Sequence, residues 1–186
     1  MTIYTDAGWK EGRCRVGYIA RGTVHPCWKT GAGEADIDSV VSAEALAILY
    51  ALREVGASFV HPRGLEGFFI RSDNLEVVNL LRSGTNPRKG YTNRRDQLAK
   101  FGDSHMGRVL SGIYGVMDAN NWSLHVRHVR GHGKAETSKQ RWMNARADEQ
   151  GNMRRRDVRQ RFYDRDLRSY PYDDWYDEAP FWEEPH

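Results

Sequence analysis

One stretch of the chain carries apolar residues at helical spacing. The intervals alternate between four and three residues, as on one face of an α-helix, in the set Val41, Ala45, Ile48, Leu52 and Val55. Ser39 precedes the run as a suitable N-cap, and Gly56 follows it as a suitable stop. The pattern predicts a helix between these two residues.

Short β-branched and aromatic runs predict strands before this helix. Residues 2–6 predict an opening strand. Residues 15–21 and 24–30 lie on either side of Gly22 and predict a hairpin. Pro26 lacks a backbone N–H, so its place in the later run favours an edge strand.

After the helix the patterns predict a second group of elements. Residues 67–71 fit a buried strand, 75–81 a short helix, 82–108 loop and helix, 104–119 a helix and 122–129 a strand. Asn144 is a candidate cap for a last helix that starts at Ala145. The order β-β-β-α-β-α-α-β-α implies an α/β domain with a mixed sheet flanked by helices. We expect this domain to span residues 1–156, followed by a tail over residues 157–186.

Composition places the chain among ordinary globular proteins. Hydrophobic residues make up 39% and charged residues 28%. No apolar run approaches the roughly 18 residues that a membrane span needs, and the N-terminus lacks the layout of a secretion signal. We therefore expect a cytoplasmic protein without a membrane partner. Only Cys14 and Cys27 are present, which argues against a disulfide framework or a zinc site.

The charge is unevenly distributed along the chain. The net charge is +3, but residues 171–186 hold six acids and no Lys or Arg, so residues 1–170 carry +9. Residues 82–108 contain seven basic and two acidic residues, a net +5. This distribution indicates a polyanionic partner for the body of the chain.

Four acids occupy positions where a solvated charge is unusual. Asp6 ends the first predicted strand and Asp73 follows the strand over 67–71. Glu44 falls on the apolar stripe of the predicted helix, and Asp148 lies about one turn into the last one. Any one of these acids alone is more often a helix cap or an arginine partner. Carboxylates that converge repel one another unless a cation neutralises them, and an all-oxygen set favours Mg²⁺ or Mn²⁺.

Five short segments follow one another in the order Ile3-Tyr4-Thr5-Asp6-Ala7-Gly8, Ser42-Ala43-Glu44-Ala45-Leu46, Ile70-Arg71-Ser72-Asp73-Asn74, Val129-Arg130-Gly131-His132-Gly133 and Asn144-Ala145-Arg146-Ala147-Asp148. Together, in this order, they resemble type 1 ribonuclease H. The resemblance covers roughly residues 1–150 and implies the ribonuclease H-like five-stranded mixed sheet.

The resemblance also implies an activity, which is cleavage of the RNA strand of RNA–DNA hybrids. Asp6, Glu44, Asp73 and Asp148 match the family's metal-binding carboxylates, and His132 matches its flexible histidine. Two Mg²⁺ ions, with Mn²⁺ as a substitute, would activate water and stabilise the leaving oxygen. Asp6 would bridge both ions, and His132 would shuttle a proton or help to release product.

The resemblance further implies residues that hold the hybrid. Asn74 is a candidate for sensing 2′-hydroxyl groups in the minor groove. The basic stretch resembles a protrusion that grips the DNA strand in some members of the family, which makes candidates of Arg88, Lys89, Arg94 and Arg95. A basic face in contact with solvent alone is the alternative.

Other functions stay open at the level of sequence. A junction resolvase or an exonuclease could share the fold, although Asp6-Ala7-Gly8 departs from the Asp-x-Glu motif of proofreading-type exonucleases. A nucleic-acid-binding domain with an inactive site is a further alternative.

The tail is acidic and aromatic. Its aromatic residues are Tyr170, Tyr172, Trp175, Tyr176, Phe181 and Trp182, and its acids are Asp173, Asp174, Asp177, Glu178, Glu183 and Glu184. Disordered tails are usually poor in aromatics, so we expect this one to dock on the chain's own basic surface or on a basic protein partner.

Overall fold

The strands of the protein form one mixed sheet. The computed structural model describes residues 1–22, 28–58, 67–130 and 137–152. The strands are β1 (Thr2–Lys10), β2 (Arg13–Arg21), β3 (Trp28–Asp36), β4 (Gly67–Ser72) and β5 (Ser123–His128). The helices are α1 (Val40–Ser58), α2 (Leu75–Gly84), α3 (Gly90–Phe101), α4 (His105–Asn120) and α5 (Ser138–Asn152). None of the described helices has the length and apolar character needed to cross a membrane.

The sheet has the order β3-β2-β1-β4-β5. Strands β1, β2 and β3 pair antiparallel, whereas β4 pairs parallel with both β1 and β5. The β1–β2 turn is tight because Glu11 and Gly12 both adopt positive φ, at 52° and 82°, as two-residue hairpin turns require. The predicted α/β fold with a five-stranded mixed sheet is confirmed.

The bounds of the early strands were predicted too short or out of place. Strand β1 continues to Lys10, and β3 extends past residue 30 to Asp36, while residues 24–27 of the predicted run lie outside the described residues. Strand β3 is difficult to predict from the sequence because glycine has a low β propensity. The structure nevertheless needs glycine at position 31, since a Cβ there would collide with the Tyr18 ring. The edge position of the third strand is confirmed. Pro26 and Cys27 lie outside the described residues, and Cys14 is a buried free thiol.

Helix α1 forms the centre of one layer. Ser39 caps it as predicted, because its hydroxyl oxygen accepts a hydrogen bond from the backbone N–H of Ser42. The helix is buried on more than the predicted stripe, since Ala47, Leu49 and Ala51 are also inaccessible. It contacts β1 and β2 on one side and α4 on the other, and the buried side chains of α2 join the same core.

The later helices differ from the sequence prediction in number and position. Three helices, not two, separate β4 from β5, because residues 90–101 form α3. Helix α5 starts at Ser138, so Asn144 is not its cap and is buried inside it. Thr137 precedes the helix instead, and its hydroxyl oxygen accepts a hydrogen bond from the backbone N–H of Gln140 in the first turn. Helices α3 and α5 are predominantly polar, so their sequences contain little apolar periodicity from which a helix could be predicted.

Helix α5 lies against the opposite face of the sheet, over β1, β2 and β3. Its approach depends on Gly17 of β2, since a Cβ there would collide with backbone atoms of Ala147 and Gly151. Gly17 is the cross-strand partner of Asp6. The contact therefore brings the last helix close to Asp6.

We predict that Gly17→Ala destabilises the protein by about 1–3 kcal/mol, because the added methyl group must push α5 away from β2. The midpoint of urea unfolding should fall accordingly. Gly115→Ala is the matched control, since its Cβ would meet no atom within 4 Å. It lies inside α4 and should stabilise by up to about 1 kcal/mol. Equal midpoints for the two variants would contradict this packing.

Candidate metal centre

Two of the predicted acids are brought together by the parallel pairing of β1 and β4. Tyr4 is in register with Arg71. Asp6 and Asp73 each lie two residues further along the chain, and a two-residue step returns to the same face of a strand. Both acids are partly exposed at this end of the sheet. Pairing alone thus explains why they are neighbours.

Glu44 reaches the same point from the first turns of α1. Its side chain is only 5% exposed, because α1 packs against β1 and β2. Asp6, Glu44 and Asp73 each offer an oxygen, and these three oxygens lie within 4.8 Å of one another. This separation satisfies the limit of about 8 Å that two ligand bonds and an intermetal spacing set. The convergence predicted for these three carboxylates is confirmed.

Asp148 approaches from the opposite layer. It lies near the C-terminal end of α5 rather than one turn into it, so the predicted location within the helix was wrong. A side-chain hydrogen bond joins Asp148 to Asp6. It is not among the three acids whose oxygens are mutually within 4.8 Å. Asp6 therefore belongs to the triad and also contacts Asp148.

Burial and mutual repulsion raise the pKa values of two carboxyl groups in the cluster. Burial, followed by the charges of Asp6 and Asp73, raises the pKa of Glu44 to about 9. Burial, then the charge of Asp73 and the hydrogen bond with Asp148, raises the pKa of Asp6 to about 7. Near neutral pH the metal-free cluster therefore retains protons that a bound cation would displace.

The donor set fits a hard divalent cation. Every potential ligand in the triad is a carboxylate oxygen, and Mg²⁺ and Mn²⁺ prefer oxygen ligands. The Oε2 atom of Glu44 is buried and has no hydrogen-bond partner among the described residues. A buried carboxylate oxygen without a partner is costly unless a proton or a cation satisfies it.

A cleft of about 370 Å³ opens beside the acids. Asp6, Asp73 and Asp148 line it together with residues that sequence reasoning did not select, namely Arg130, Arg141, Trp142, Asn144 and Ala145. Asn144 precedes Asp148 by one helical turn, and its buried Oδ1 atom has no hydrogen-bond partner in the part of the chain that the structure describes. If the start of α5 had been predicted correctly, the four-residue spacing would have indicated that Asn144 is a neighbour of Asp148.

Other predicted site residues have separate local roles. Asn74 caps α2, since its side chain accepts a hydrogen bond from the backbone N–H of Val77. His128, which was not a predicted site residue, forms a hydrogen bond with the backbone oxygen of Asp73, at 3.0 Å, and so contacts the strand end that carries this acid. His132 lies outside the described residues, and its role stays a prediction.

The basic stretch forms α3 and the turn before it. Arg88, Lys89 and Arg95 are exposed there. Arg94 is engaged differently, because its guanidinium donates to the Gly84 carbonyl at 2.7 Å and to Asp118 at 2.8 Å. It also lies over the Tyr114 ring. Arg94 thus ties α3 to α2 and α4, while the other three side chains face solvent.

Comparisons with known proteins give matches in three-dimensional structure only. No protein-family model and no curated protein sequence matches the chain. Ribonuclease H1 of the halophilic archaeon Halobacterium salinarum is similar, with a TM-score of 0.54 and 18% identity over 81% of this chain and 93% of that one.

Two further solved structures have the same architecture. LC11-RNase H1, isolated from compost and solved in complex with an RNA/DNA hybrid, gives a TM-score of 0.59 and 16% identity over 84% of this chain and 97% of its own. The RNase H domain of prototype foamy virus gives a TM-score of 0.54 and 15% identity, and the match covers 80% of this chain and 90% of the viral domain. The chain therefore has the fold of type 1 ribonuclease H.

Proposed function

We propose that the protein is a metal-dependent endoribonuclease that hydrolyses the RNA strand of RNA–DNA hybrids. The observation that carries the proposal is the convergence of Asp6, Glu44 and Asp73 within 4.8 Å on a ribonuclease H fold. These acids come from β1, from α1 and from the residue after β4, and such close packing of carboxylates is unfavourable unless protons or a cation offset their charges. The solved hybrid complex of LC11-RNase H1 supports the choice of substrate class.

The proposed ligands are Asp6, Glu44 and Asp73, with Asp148 joining through its proximity to Asp6. Two Mg²⁺ ions, or Mn²⁺ in their place, would supply an activated water and stabilisation of the leaving oxygen. Asp6 belongs to the triad and also contacts Asp148, so it would be the residue best placed to serve both ions. Glu44 needs its proton removed before it can act as a ligand.

The chain's own cations then orient the substrate. Arg130 and Arg141 are exposed at the cleft and would attract the phosphate backbone toward the acids. Arg88, Lys89 and Arg95 on the α3 surface would hold the DNA strand through phosphate contacts. Asn74 keeps its amide N–H donors available while its oxygen caps α2, so a 2′-hydroxyl contact stays part of the proposal. His132 remains the proposed proton shuttle.

We predict cleavage of an end-labelled RNA–DNA hybrid in the presence of Mg²⁺, with duplex DNA and duplex RNA left intact. Asp73→Asn should reduce the cleavage rate at least about 100-fold. The substitution removes a charged metal ligand, and loss of a residue that only contacts a ligand already costs about 10–100-fold. Gel analysis of product lengths separates internal cleavage from exonucleolytic trimming.

The matched control is Asp103→Asn, the same chemical change at an exposed turn between α3 and α4. Its rate should equal that of the unaltered protein. Cleavage of four-way DNA junctions instead of hybrids would identify a resolvase. Binding of hybrid without cleavage, in any divalent metal, would make this an inactive nucleic-acid-binding domain.

A second prediction concerns pH and stability. The folded-state pKa values of Asp6 and Glu44 are raised to about 7 and about 9, so these groups stabilise the metal-free fold below their unfolded values and lose that contribution as pH rises. The melting temperature of metal-free protein should therefore fall between about pH 5 and pH 9, by at least about 2–4 °C. Mg²⁺ or Mn²⁺ should raise it more at the upper end of this range.

Glu44→Gln provides the control, because it keeps the shape and removes the charge. The variant should melt higher than the unaltered metal-free protein at high pH and respond less to Mn²⁺. An unchanged pH slope in Glu44→Gln would count against the electrostatic account of the cluster.

A third prediction tests the basic surface on α3. Arg88→Gln and Lys89→Gln should each weaken hybrid binding and reduce the slope of log affinity against log salt by about 1, as expected for one lost phosphate contact. Fluorescence anisotropy in the inactive Asp73→Asn background measures both. Arg53→Gln, on α1 about 14 Å along the helix from Glu44, is the control and should leave the slope unchanged.

A further inference from the structure

One face of the sheet is covered only in part by described helices. Helix α5 packs over β1, β2 and β3. No described helix makes comparable contact with β4 and β5 on that face, since the buried side chains of α2 join the core on the opposite side. The side chains of β4 and β5 that point this way are Phe69, Arg71, His125 and Arg127. We call these four residues the β4–β5 patch.

The patch is basic. Arg71 and Arg127 are direct neighbours across the parallel pair, and both are partly exposed. Burial, together with the charges of Arg71 and Arg82, lowers the pKa of Arg127, so a third guanidinium from α2 lies nearby. Three like charges this close favour a polyanionic or acidic ligand over a neutral one.

The patch is also aromatic. Phe69 and His125 stack with ring centroids 5.1 Å apart and an interplanar angle of 17°. On β1, Tyr4 is in register with Arg71 and packs in a cluster with Met143 of α5, against which Trp142 also packs. Aromatic rings therefore lie beside the arginines, between α5 and the outer strands. A matching ligand would combine carboxylates with aromatic side chains.

The chain itself contains a segment of this composition. Residues 170–186 hold six acids, six aromatic residues and neither Lys nor Arg. Helix α5 ends over β2, because Gly151 lies against Gly17. The 17 residues from 153 to 169 can span up to roughly 56–61 Å, whereas the three strand spacings from β2 across β1 and β4 to β5 amount to only about 14 Å.

We propose that residues 170–186 dock intramolecularly on the β4–β5 patch, with acids facing Arg71 and Arg127 and aromatic side chains on the Phe69–His125 stack. The occupant is this chain's own tail, since tethering supplies a high local concentration without a partner. The contact is separate from the proposed nuclease activity, because it uses neither the carboxylate cluster nor a divalent cation.

The test measures binding of a fluorescent peptide of residues 170–186 to the unaltered chain and to three altered forms of it, without nucleic acid or metal. In the first, all six tail acids are replaced by their amides, which frees the patch. The second is this form with Arg71→Gln and Arg127→Gln. The third carries Arg88→Gln and Lys89→Gln instead, a matched loss of two charges on α3. Melting curves verify that each form is folded.

The peptide should bind the first form and bind the unaltered chain at least about tenfold more weakly, because the chain's own tail competes. The Arg71→Gln/Arg127→Gln form should lose at least about tenfold in affinity, and the control form should not. Should the double variant fail to fold, His125→Asp at an exposed position places a repelling charge in the patch and should weaken binding likewise.

Three results would overturn the proposal. They are absence of peptide binding to the first form, equal binding by the first form and the unaltered chain, and an equal loss in the α3 control. Each of them can occur whether or not the protein cleaves hybrids, so failure here is distinguishable from failure of the proposed nuclease function.

Discussion

Repulsion among closely packed carboxyl groups is the interaction on which the other properties of this protein depend. Asp6, Glu44 and Asp73 lie within 4.8 Å, and burial together with mutual charge raises the pKa of Glu44 to about 9. A fold gains nothing by burying such groups without compensation. The metal-free state offsets the cost by retaining protons, and a divalent cation would replace those protons. Stability, cation binding and the proposed chemistry therefore depend on the same few oxygen atoms.

The surrounding architecture keeps these oxygens together. Parallel pairing of β1 with β4 fixes Asp6 beside Asp73, and the buried helix α1 holds Glu44 against the sheet. On the other face, Gly17 allows the backbone of α5 to approach β2 next to Asp6, which brings Asp148 within hydrogen-bonding distance. Elements from both layers thus contribute to one cluster. Among the described helices, none covers β4 and β5 on the α5 face.

The sequence-based predictions were correct where buried residues recur at a regular spacing along one helix or strand. Helix α1, strand β4 and the acids at their ends follow directly from apolar spacing, and the convergence of Asp6, Glu44 and Asp73 was foreseen. It failed where tertiary contacts override local preference. The two glycines of β3 leave space for tyrosine rings, Gly31 for Tyr18 and Gly33 for Tyr50. Helix α5 is so polar that Asn144 resembled a cap rather than a buried neighbour of Asp148. The contact of Arg94 with Asp118 could not be read from charge alone.

The most direct test of the account is anomalous diffraction from crystals of the protein soaked in Mn²⁺. The account predicts an anomalous peak within coordination distance of the carboxylate oxygens of Asp6, Glu44 and Asp73, at about 2.0–2.3 Å. A map with no peak at this cluster, while the three carboxylates stay close together and fully occupied, would contradict it.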